Sequence, residues 1–163
     1  MFPDDIQTLA QQVVAASIRR GLMLATVESC TGGLVAGALT AIAGSSAALD
    51  RGFVTYSNEA KTDLVDVPAA LIQTHGAVSE PVARAMATGA LSRSVAGLVV
   101  SVTGIAGPGG GSADKPVGLV HFAVADADGV IHIEKRFGDL GREAIRLDSV
   151  RTALTLLLAR LEP

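Results

Sequence analysis

The amino-acid sequence predicts a three-layer α/β fold built around a mixed sheet. Helix-like and strand-like segments alternate through much of the chain, an order that places helices against a sheet. Near the C-terminus two strand-like segments flank the turn 127–129, whose Asp-Gly ending favours a hairpin, so part of the sheet should be antiparallel. With 163 residues, 49% of them apolar, the chain is expected to form one domain, residues 1–163, with a real core.

The first third of the chain predicts two helices and two strands. Apolar residues at helical spacing predict a helix over 4–20, which Gly21 ends. The apolar run 22–28 predicts a short buried strand, and the Ala-, Leu- and Gly-rich segment 30–43 predicts a tightly packed helix. The β-like segment 51–57 predicts a second strand.

The middle of the chain predicts short helices with recognisable starts. Asn58 is a good N-cap for the helix that follows it, and Pro68 opens another short helix. Ser79 is expected to cap a longer helix that continues to about residue 93. These helices should cover one face of the sheet.

The last third predicts most of the remaining sheet. The β-branched run 97–103 is typical of a central strand. The segments 117–126 and 130–137 predict the two strands of the hairpin. An apolar face from about Arg142 onward predicts a final helix.

Charge and hydropathy exclude nucleic-acid and membrane partners. The net charge is −3, no Lys/Arg cluster is present, and the chain has one Tyr and no Trp, so neither a basic stripe nor stacking aromatics are available. The N-terminus lacks the basic segment of a signal peptide, and the longest apolar run is far shorter than the ~20 residues of a membrane span. The sequence therefore predicts a cytoplasmic protein.

Cysteine and histidine usage argues against metals. Cys30 is the only cysteine, which excludes a disulfide framework and a cysteine-based zinc site. The three histidines, His75, His121 and His132, show no ligand spacing. We expect no metal and no cofactor.

The stretch ESCTGG, residues 28–33, lies where the first strand passes into a helix. A nucleophile there, such as Ser29, would sit beside the unpaired N–H groups of a helix N-terminus, which can stabilise an oxyanion. Gly32 and Gly33 would let a ligand approach the backbone. Alternatively, Ser29 or Thr31 only caps the helix and the glycines pack against the sheet.

The stretch TYSNEAK carries a lysine early in a helix. If Asn58 is the cap, Lys61 lies in the first turn, where the helix dipole disfavours a cation, and burial would lower its pKa further. An uncharged Lys61 can accept the proton of a serine hydroxyl. Tyr56 could relay that proton or donate to an oxyanion. The alternative is a surface Lys61 paired with Glu59 and Asp63.

Two further features suggest ligand binding. The Gly-rich segment 104–116 follows the predicted central strand, where α/β folds often bind ligands, although it matches neither a dinucleotide-binding nor a P-loop pattern. Arg142 and Arg146 lie one turn apart at the start of the last helix and could hold a phosphate. A flexible surface loop and a solvated helix face are the alternatives.

Taken together, four stretches resemble the CinA C-terminal domain family, whose stand-alone members are nicotinamide-nucleotide amidohydrolases. They read ESCTGG, AGSSAALDRGFVTYSNEAK, HGAVSEPVA and GIAGPGGGSADKPVG, in that order within residues 25–120. The resemblance implies a three-layer α/β/α sandwich with a mixed, mostly parallel five-stranded sheet. It also implies hydrolysis of the carboxamide of nicotinamide mononucleotide to nicotinic acid mononucleotide and ammonia, without a metal, by a homodimer or other homo-oligomer.

The resemblance also assigns the site. Ser29 would be the nucleophile and Lys61 the base, with Tyr56 completing the catalytic set. The substrate-binding residues expected are Cys30, Thr31, Gly32, Gly33, Thr103, Gly104, Ile105, Ala106, Gly107 and Arg142. The family usually shows a compact Gly-Asp-Arg before the last helix, whereas residues 138–142 read GDLGR here, so Arg142 as the phosphate ligand stays open.

Two other functions compete with this one. Cys30 could be the nucleophile instead of Ser29, because a helix N-terminus lowers a thiol pKa and thiolates are strong nucleophiles. The chain could also be a nucleotide-binding module without turnover. The presence of Ser29, Tyr56 and Lys61 together argues mildly against that second reading.

Overall fold

The computed structural model describes residues 1–162 and contains five strands and six α-helices within them. The strands are β1 Leu24–Glu28, β2 Leu49–Val54, β3 Leu98–Gly104, β4 Leu119–Asp126 and β5 Gly129–Arg136. The helices are α1 Asp4–Arg20, α2 Leu34–Thr40, α3 Asn58–Val65, α4 Ala69–His75, α5 Glu80–Ser92 and α6 Arg142–Leu161, with a short 3₁₀ turn at Ser45–Ala47. None of the helices in this part of the chain is long and apolar enough to cross a membrane.

The strands form one sheet in the order β2-β1-β3-β4-β5. β1 pairs in parallel with β2 and β3, and β4 pairs antiparallel with β3 and β5. Four of the five strands therefore run in the same direction. This confirms the predicted mixed, mostly parallel five-stranded sheet.

Helices cover both faces of the sheet. One core joins the apolar faces of α1, α2 and α6 to one side of the strands, and the other joins α3, α4 and α5 to the opposite side. Side chains of β1 alternate between these cores: Leu24 packs on the α6 side, whereas Ala25 and Val27 pack on the α3 side. The three-layer sandwich is confirmed.

Several helix boundaries agree with the sequence predictions. α1 spans the predicted residues and ends at Gly21 in the left-handed conformation. α6 begins at Arg142, as its apolar face predicts. Ser79 occupies the N-cap position of α5, but its hydroxyl donates to the Gly76 carbonyl instead of capping.

Two predicted helix starts are wrong. Ser57, not Asn58, caps α3, and its hydroxyl accepts a hydrogen bond from the Ala60 N–H at 3.0 Å. α2 is also shorter than the predicted helix 30–43, because Gly32 and Gly33 adopt φ values of 60° and 97°, which a right-handed helix excludes. The chain between β1 and α2 is consequently a tight loop that exposes backbone groups.

Candidate active site

Ser29 lies immediately after β1, at the carboxyl edge of the parallel strands. Its N–H donates to the Val102 carbonyl of β3 at 2.9 Å, which extends the strand pairing by one residue. The residue is partly exposed, and its Oγ lies 3.1 Å from Lys61 Nζ. The structure thus brings together two of the three predicted catalytic side chains.

Lys61 is buried, with 1% of its surface exposed. Its Nζ lies 2.8 Å from the Thr55 carbonyl oxygen and 3.4 Å from that of Ser57, and no carboxylate of residues 1–162 forms an ion pair with it. Burial lowers the pKa of this amine. An uncharged amine can donate to both carbonyls and direct its lone pair at Ser29 Oγ.

The alternative of a surface lysine paired with Glu59 and Asp63 is therefore wrong. The first turn of α3 directs Lys61 inward, while the two acidic residues lie on the outer side of the helix. The sequence could not decide this, because the spacing of 59, 61 and 63 fits either orientation.

Backbone bonds tie the lysine to the nucleophile. The Thr55 N–H donates to the Glu28 carbonyl at 2.9 Å, so the ladder between β1 and β2 continues to the residue before Tyr56. The carbonyl of the same Thr55 holds Lys61 Nζ. The position of the base relative to Ser29 is set by this strand pairing.

Glu28 is a structural residue of the site that the sequence analysis missed. Its carboxylate is fully buried and accepts the N–H groups of Val35 and Ala36 at 2.9 and 3.0 Å, and the hydroxyl of Thr26 at 3.0 Å. It therefore caps α2 from the preceding strand. The sequence feature that could have identified this role is a charged residue at the end of an apolar strand.

The alternative that Ser29 or Thr31 caps α2 is wrong, since Gly33 holds the N-cap position without a side-chain bond. Gly32 N–H donates to the Ser29 carbonyl, which closes the turn. The N–H groups of Cys30, Thr31 and Gly33 donate to no backbone carbonyl among residues 1–162. Thr31 has no exposed surface and Cys30 only 6%, whereas Gly33 is partly exposed, so the Gly33 N–H is the most accessible donor for an oxyanion.

The side chains of Cys30 and Thr31 face the core. Cys30 is 6% exposed, and burial raises the pKa of its thiol to about 12. Thr31 is fully buried, and its hydroxyl has no partner in the described part of the chain. Of the predicted substrate contacts, these two residues can offer only their backbone.

Tyr56 is not hydrogen-bonded to the serine–lysine pair in residues 1–162. It is 61% exposed, and its hydroxyl accepts a hydrogen bond from Arg142 Nη2 at 3.1 Å. Because Lys61 Nζ contacts Ser29 Oγ directly, no space remains between them for the Tyr56 hydroxyl as a proton relay.

The Gly-rich loop is held against β4 and the start of α6. A side chain at Gly104 would collide with Val120, so this glycine is explained by packing. The Gly107 carbonyl accepts from Arg142 Nη1 at 3.0 Å. Arg142 therefore joins the loop to Tyr56 across the mouth of the site.

The other loop residues predicted to bind substrate differ in availability. Thr103 is buried, and its hydroxyl donates to the Ala77 carbonyl at 2.9 Å. Ala106 is also buried, whereas Ile105 is partly exposed. Thr103 is thus a structural link to the turn before α5 in this structure.

Arg146 and Arg142 bind different loops. The Nε of Arg146 donates to the Cys30 carbonyl and its Nη2 to the Thr31 carbonyl, both at 3.1 Å. The pair of arginines that the sequence suggested for one phosphate is therefore divided between the loop after β3 and the loop after β1.

The described residues contain no group of three or more His, Cys, Asp or Glu side chains placed to hold a metal ion. His121 and His132 stack at 5.1 Å between ring centroids, and their facing nitrogens are 2.9 Å apart. Glu80 lies 3.5 Å from the other nitrogen of His132.

The fold and this site define an α/β protein in which a serine and a buried lysine meet at the carboxyl edge of a mixed sheet. The lysine has no ion-pair partner among residues 1–162. The profile of the CinA C-terminal domain matches residues 6–161. The chain belongs to the CinA C-terminal domain family, which confirms the resemblance inferred from its motifs.

Individual relatives agree with this assignment. The nicotinamide-nucleotide amidohydrolase PncC of Escherichia coli K12 is 49% identical over 159 residues, which cover 96% of this chain and 95% of that protein. A CinA-like protein of Synechococcus sp. RCC307 is 52% identical over 98% of this chain. The chain spans only 39% of that longer relative.

Solved structures show the same fold. A competence/damage inducible protein from Agrobacterium tumefaciens superposes with a TM-score of 0.97 at 58% identity, covering 100% of this chain and 99% of the other. A CinA superfamily protein from Escherichia coli superposes with a TM-score of 0.90 at 35% identity, covering 98% and 94%.

Proposed function

We propose that this protein hydrolyses the carboxamide of nicotinamide mononucleotide, giving nicotinic acid mononucleotide and ammonia. The observation that carries the proposal is the 3.1 Å contact between Ser29 Oγ and the buried amine of Lys61. The near full-length similarity to a protein named nicotinamide-nucleotide amidohydrolase supports the choice of substrate.

The first half of the reaction is attack by the serine. Ser29 Oγ forms a bond to the carboxamide carbon while its proton moves to the uncharged Lys61 amine, and the carbonyl π electrons move to oxygen. Collapse of the tetrahedral intermediate expels the amide nitrogen, which takes the proton from Lys61 and leaves as ammonia. An ester of Ser29 remains.

The second half restores the enzyme. Water attacks the ester carbon and gives one proton to Lys61, and the Ser29 oxygen leaves and recovers that proton. Nicotinic acid mononucleotide is released, so one amide and one water become one acid and one ammonia. The oxyanion formed in each half is stabilised by N–H groups of the loop after Ser29, of which that of Gly33 is the most accessible; one such donor typically contributes about a hundred- to a thousand-fold in rate.

Arg142 and Tyr56 hold the nucleotide end of the substrate in this proposal. The Arg142 guanidinium is exposed and bonds to neutral acceptors, the Gly107 carbonyl and the Tyr56 hydroxyl. A phosphate can replace or join these partners through a stronger charge-assisted bond. Tyr56 therefore acts on binding, rather than relaying the serine proton.

Burial argues against Cys30 as the nucleophile. A thiol with a pKa raised to about 12 carries almost no thiolate at neutral pH, and its sulfur faces the core. The buried amine argues against a nucleotide-binding module without turnover. Burying a lysine beside a serine without an ion-pair partner is costly, and it does not by itself improve binding of a nucleotide.

Ammonia release from nicotinamide mononucleotide tests the proposal. We expect turnover by the parent protein, loss of more than about a thousandfold in kcat for Ser29→Ala, and activity close to the parent for Cys30→Ala, the adjacent matched control. Binding of the nucleotide without ammonia would support the silent module. Turnover by Ser29→Ala together with an inactive Cys30→Ala would show that the thiol is the nucleophile.

We also propose that the protein is a homodimer or other homo-oligomer. β2 is an edge strand of the sheet, and Val54 at its end is 48% exposed beside Tyr56. Association through this edge would cover Val54 and leave the Tyr56 hydroxyl free for the nucleotide. Light scattering that gives the mass of a single chain at micromolar concentration would contradict this.

A further inference from the structure

Arg146 is a charged residue of the site with no role in the mechanism above. It lies on the second turn of α6, is half-buried, and bonds to two consecutive carbonyls, those of Cys30 and Thr31. An arginine fork that binds two acceptors has a defined orientation, unlike a lysine amine that can swing around one of them. The loop is therefore clamped from the α6 side.

The clamp determines where the loop N–H groups point. In a trans peptide the N–H is directed opposite to the C=O of the same unit. Because the Cys30 carbonyl faces Arg146, the N–H of Thr31 faces away from α6. The Thr31 carbonyl faces Arg146 in the same way, so the Gly32 N–H of that peptide unit is turned toward the Ser29 carbonyl, to which it donates. Arg146 thus holds the turn that follows the nucleophile.

Two backbone bonds close the loop, from the Gly32 N–H to the Ser29 carbonyl and from the Leu34 N–H to the Thr31 carbonyl, but within residues 1–162 the loop residues add no side-chain bond of their own. Gly32 and Gly33 both adopt positive φ, a region where glycine has little preference among conformations. The hydroxyl of Thr31 has no partner that would hold the chain. An external bond to the carbonyls supplies the missing constraint, and its positive charge also polarises the peptide groups.

We propose that Arg146 is a positioning residue, which holds the Cys30 and Thr31 carbonyls and thereby fixes the turn that carries Ser29 and presents the Gly33 N–H to the oxyanion formed when Ser29 attacks an acyl carbon. The inference rests on the proposed function for its choice of substrate. It assigns Arg146 to the chemical step, in contrast to Arg142, which is assigned to nucleotide binding.

The test measures kcat and KM separately for Arg146→Lys and Arg146→Ala with nicotinamide mononucleotide. We expect kcat to fall about 10–100-fold for the lysine variant and more for the alanine variant, with KM within about threefold of the parent. Added guanidinium should restore part of the kcat of Arg146→Ala. Arg151→Lys is the matched control, since Arg151 lies on the same helix and bonds to Asp5 and Asp148.

Three outcomes would overturn the inference. A rise in KM with unchanged kcat would make Arg146 a phosphate ligand, and unchanged values of both constants would leave it without a role. The third outcome is that the activity falls only because the variant unfolds. In that case Arg146→Lys would have a Tm far below that of Arg151→Lys, and guanidinium would not restore the activity of Arg146→Ala.

A second substrate separates this inference from the proposed function. Acetyl transfer from p-nitrophenyl acetate to Ser29 releases p-nitrophenolate and needs the oxyanion donors but no nucleotide contact. If the parent releases no ammonia from nicotinamide mononucleotide, the proposed substrate is wrong, and the acetylation rate alone decides the role of Arg146. A slower burst in Arg146→Lys than in Arg151→Lys supports the inference; equal bursts, or none in the parent, refute it.

Discussion

The carboxylate of Glu28 provides the most direct test of how this site is built. Replacing it by glutamine keeps the shape of the side chain but converts one acceptor oxygen into an NH₂ donor. Both oxygens are in use, Oε1 by the Val35 N–H and Oε2 by the Ala36 N–H and the Thr26 hydroxyl. Whichever way the amide turns, at least one donor faces another donor.

The expected cost follows from these contacts. Leaving one buried N–H unsatisfied costs about 1–3 kcal/mol, and the remaining bonds lose the strength that the charge gives them. We therefore expect Glu28→Gln to lose about 2–4 kcal/mol of unfolding free energy. For a chain of this size, that corresponds to a fall in Tm of about 4–16 °C.

Thermal and denaturant unfolding of Glu28→Gln and of a matched control measure this cost. Glu134→Gln is the control, because Glu134 is a surface carboxylate paired with Arg136, and we expect it to change the unfolding free energy by less than about 0.5 kcal/mol. A Glu28→Gln protein that melts within 2 °C of the parent would refute the assignment of this carboxylate as the cap of α2.

Three further predictions concern the base and the loop. Because burial lowers the pKa of Lys61 and its uncharged form is the proposed base, kcat/KM should rise with pH along a limb whose pKa lies below the ordinary value of 10.5; a limb at or above 10.5 would contradict this. Lys61→Met should abolish ammonia release yet melt no lower than the parent, since it removes a buried amine that has no carboxylate partner among residues 1–162; a clear fall in Tm would show that the amine stabilises the fold. Gly33→Ala should destabilise by about 1–2 kcal/mol, because φ is 97° there, whereas Gly109→Ala, in open space, should stay within about 0.5 kcal/mol by denaturant titration.

The main elements of the fold could be predicted from the sequence because their signals are local. Apolar periodicity defines α1 and α6, and the Asp-Gly turn defines the hairpin of β4 and β5. The cap of α3 was assigned one residue too late, since Ser57 and Asn58 are both good caps. In the structure Ser57 takes that position and its hydroxyl accepts the Ala60 N–H.

The sequence predicted the part of the candidate site in which one side chain contacts another. Motif resemblance located Ser29 and Lys61, which the structure places in contact. It did not reveal contacts with backbone groups, such as those of Arg146 with two carbonyls and of Thr103 with another. Every residue carries a carbonyl, so nothing in the sequence marks which ones will be acceptors.

The backbone bond between Thr55 and Glu28 has a consequence for how the sequence of this protein can change. The pairing of two neighbouring parallel strands sets the distance between the Ser29 hydroxyl and the Lys61 amine. Insertions in the surface turn at 41–47 should therefore leave this distance unchanged. One extra residue between Val54 and Ser57 would instead rotate the amine out of reach. Length variation among homologous chains is therefore tolerable before the second strand and intolerable immediately after it.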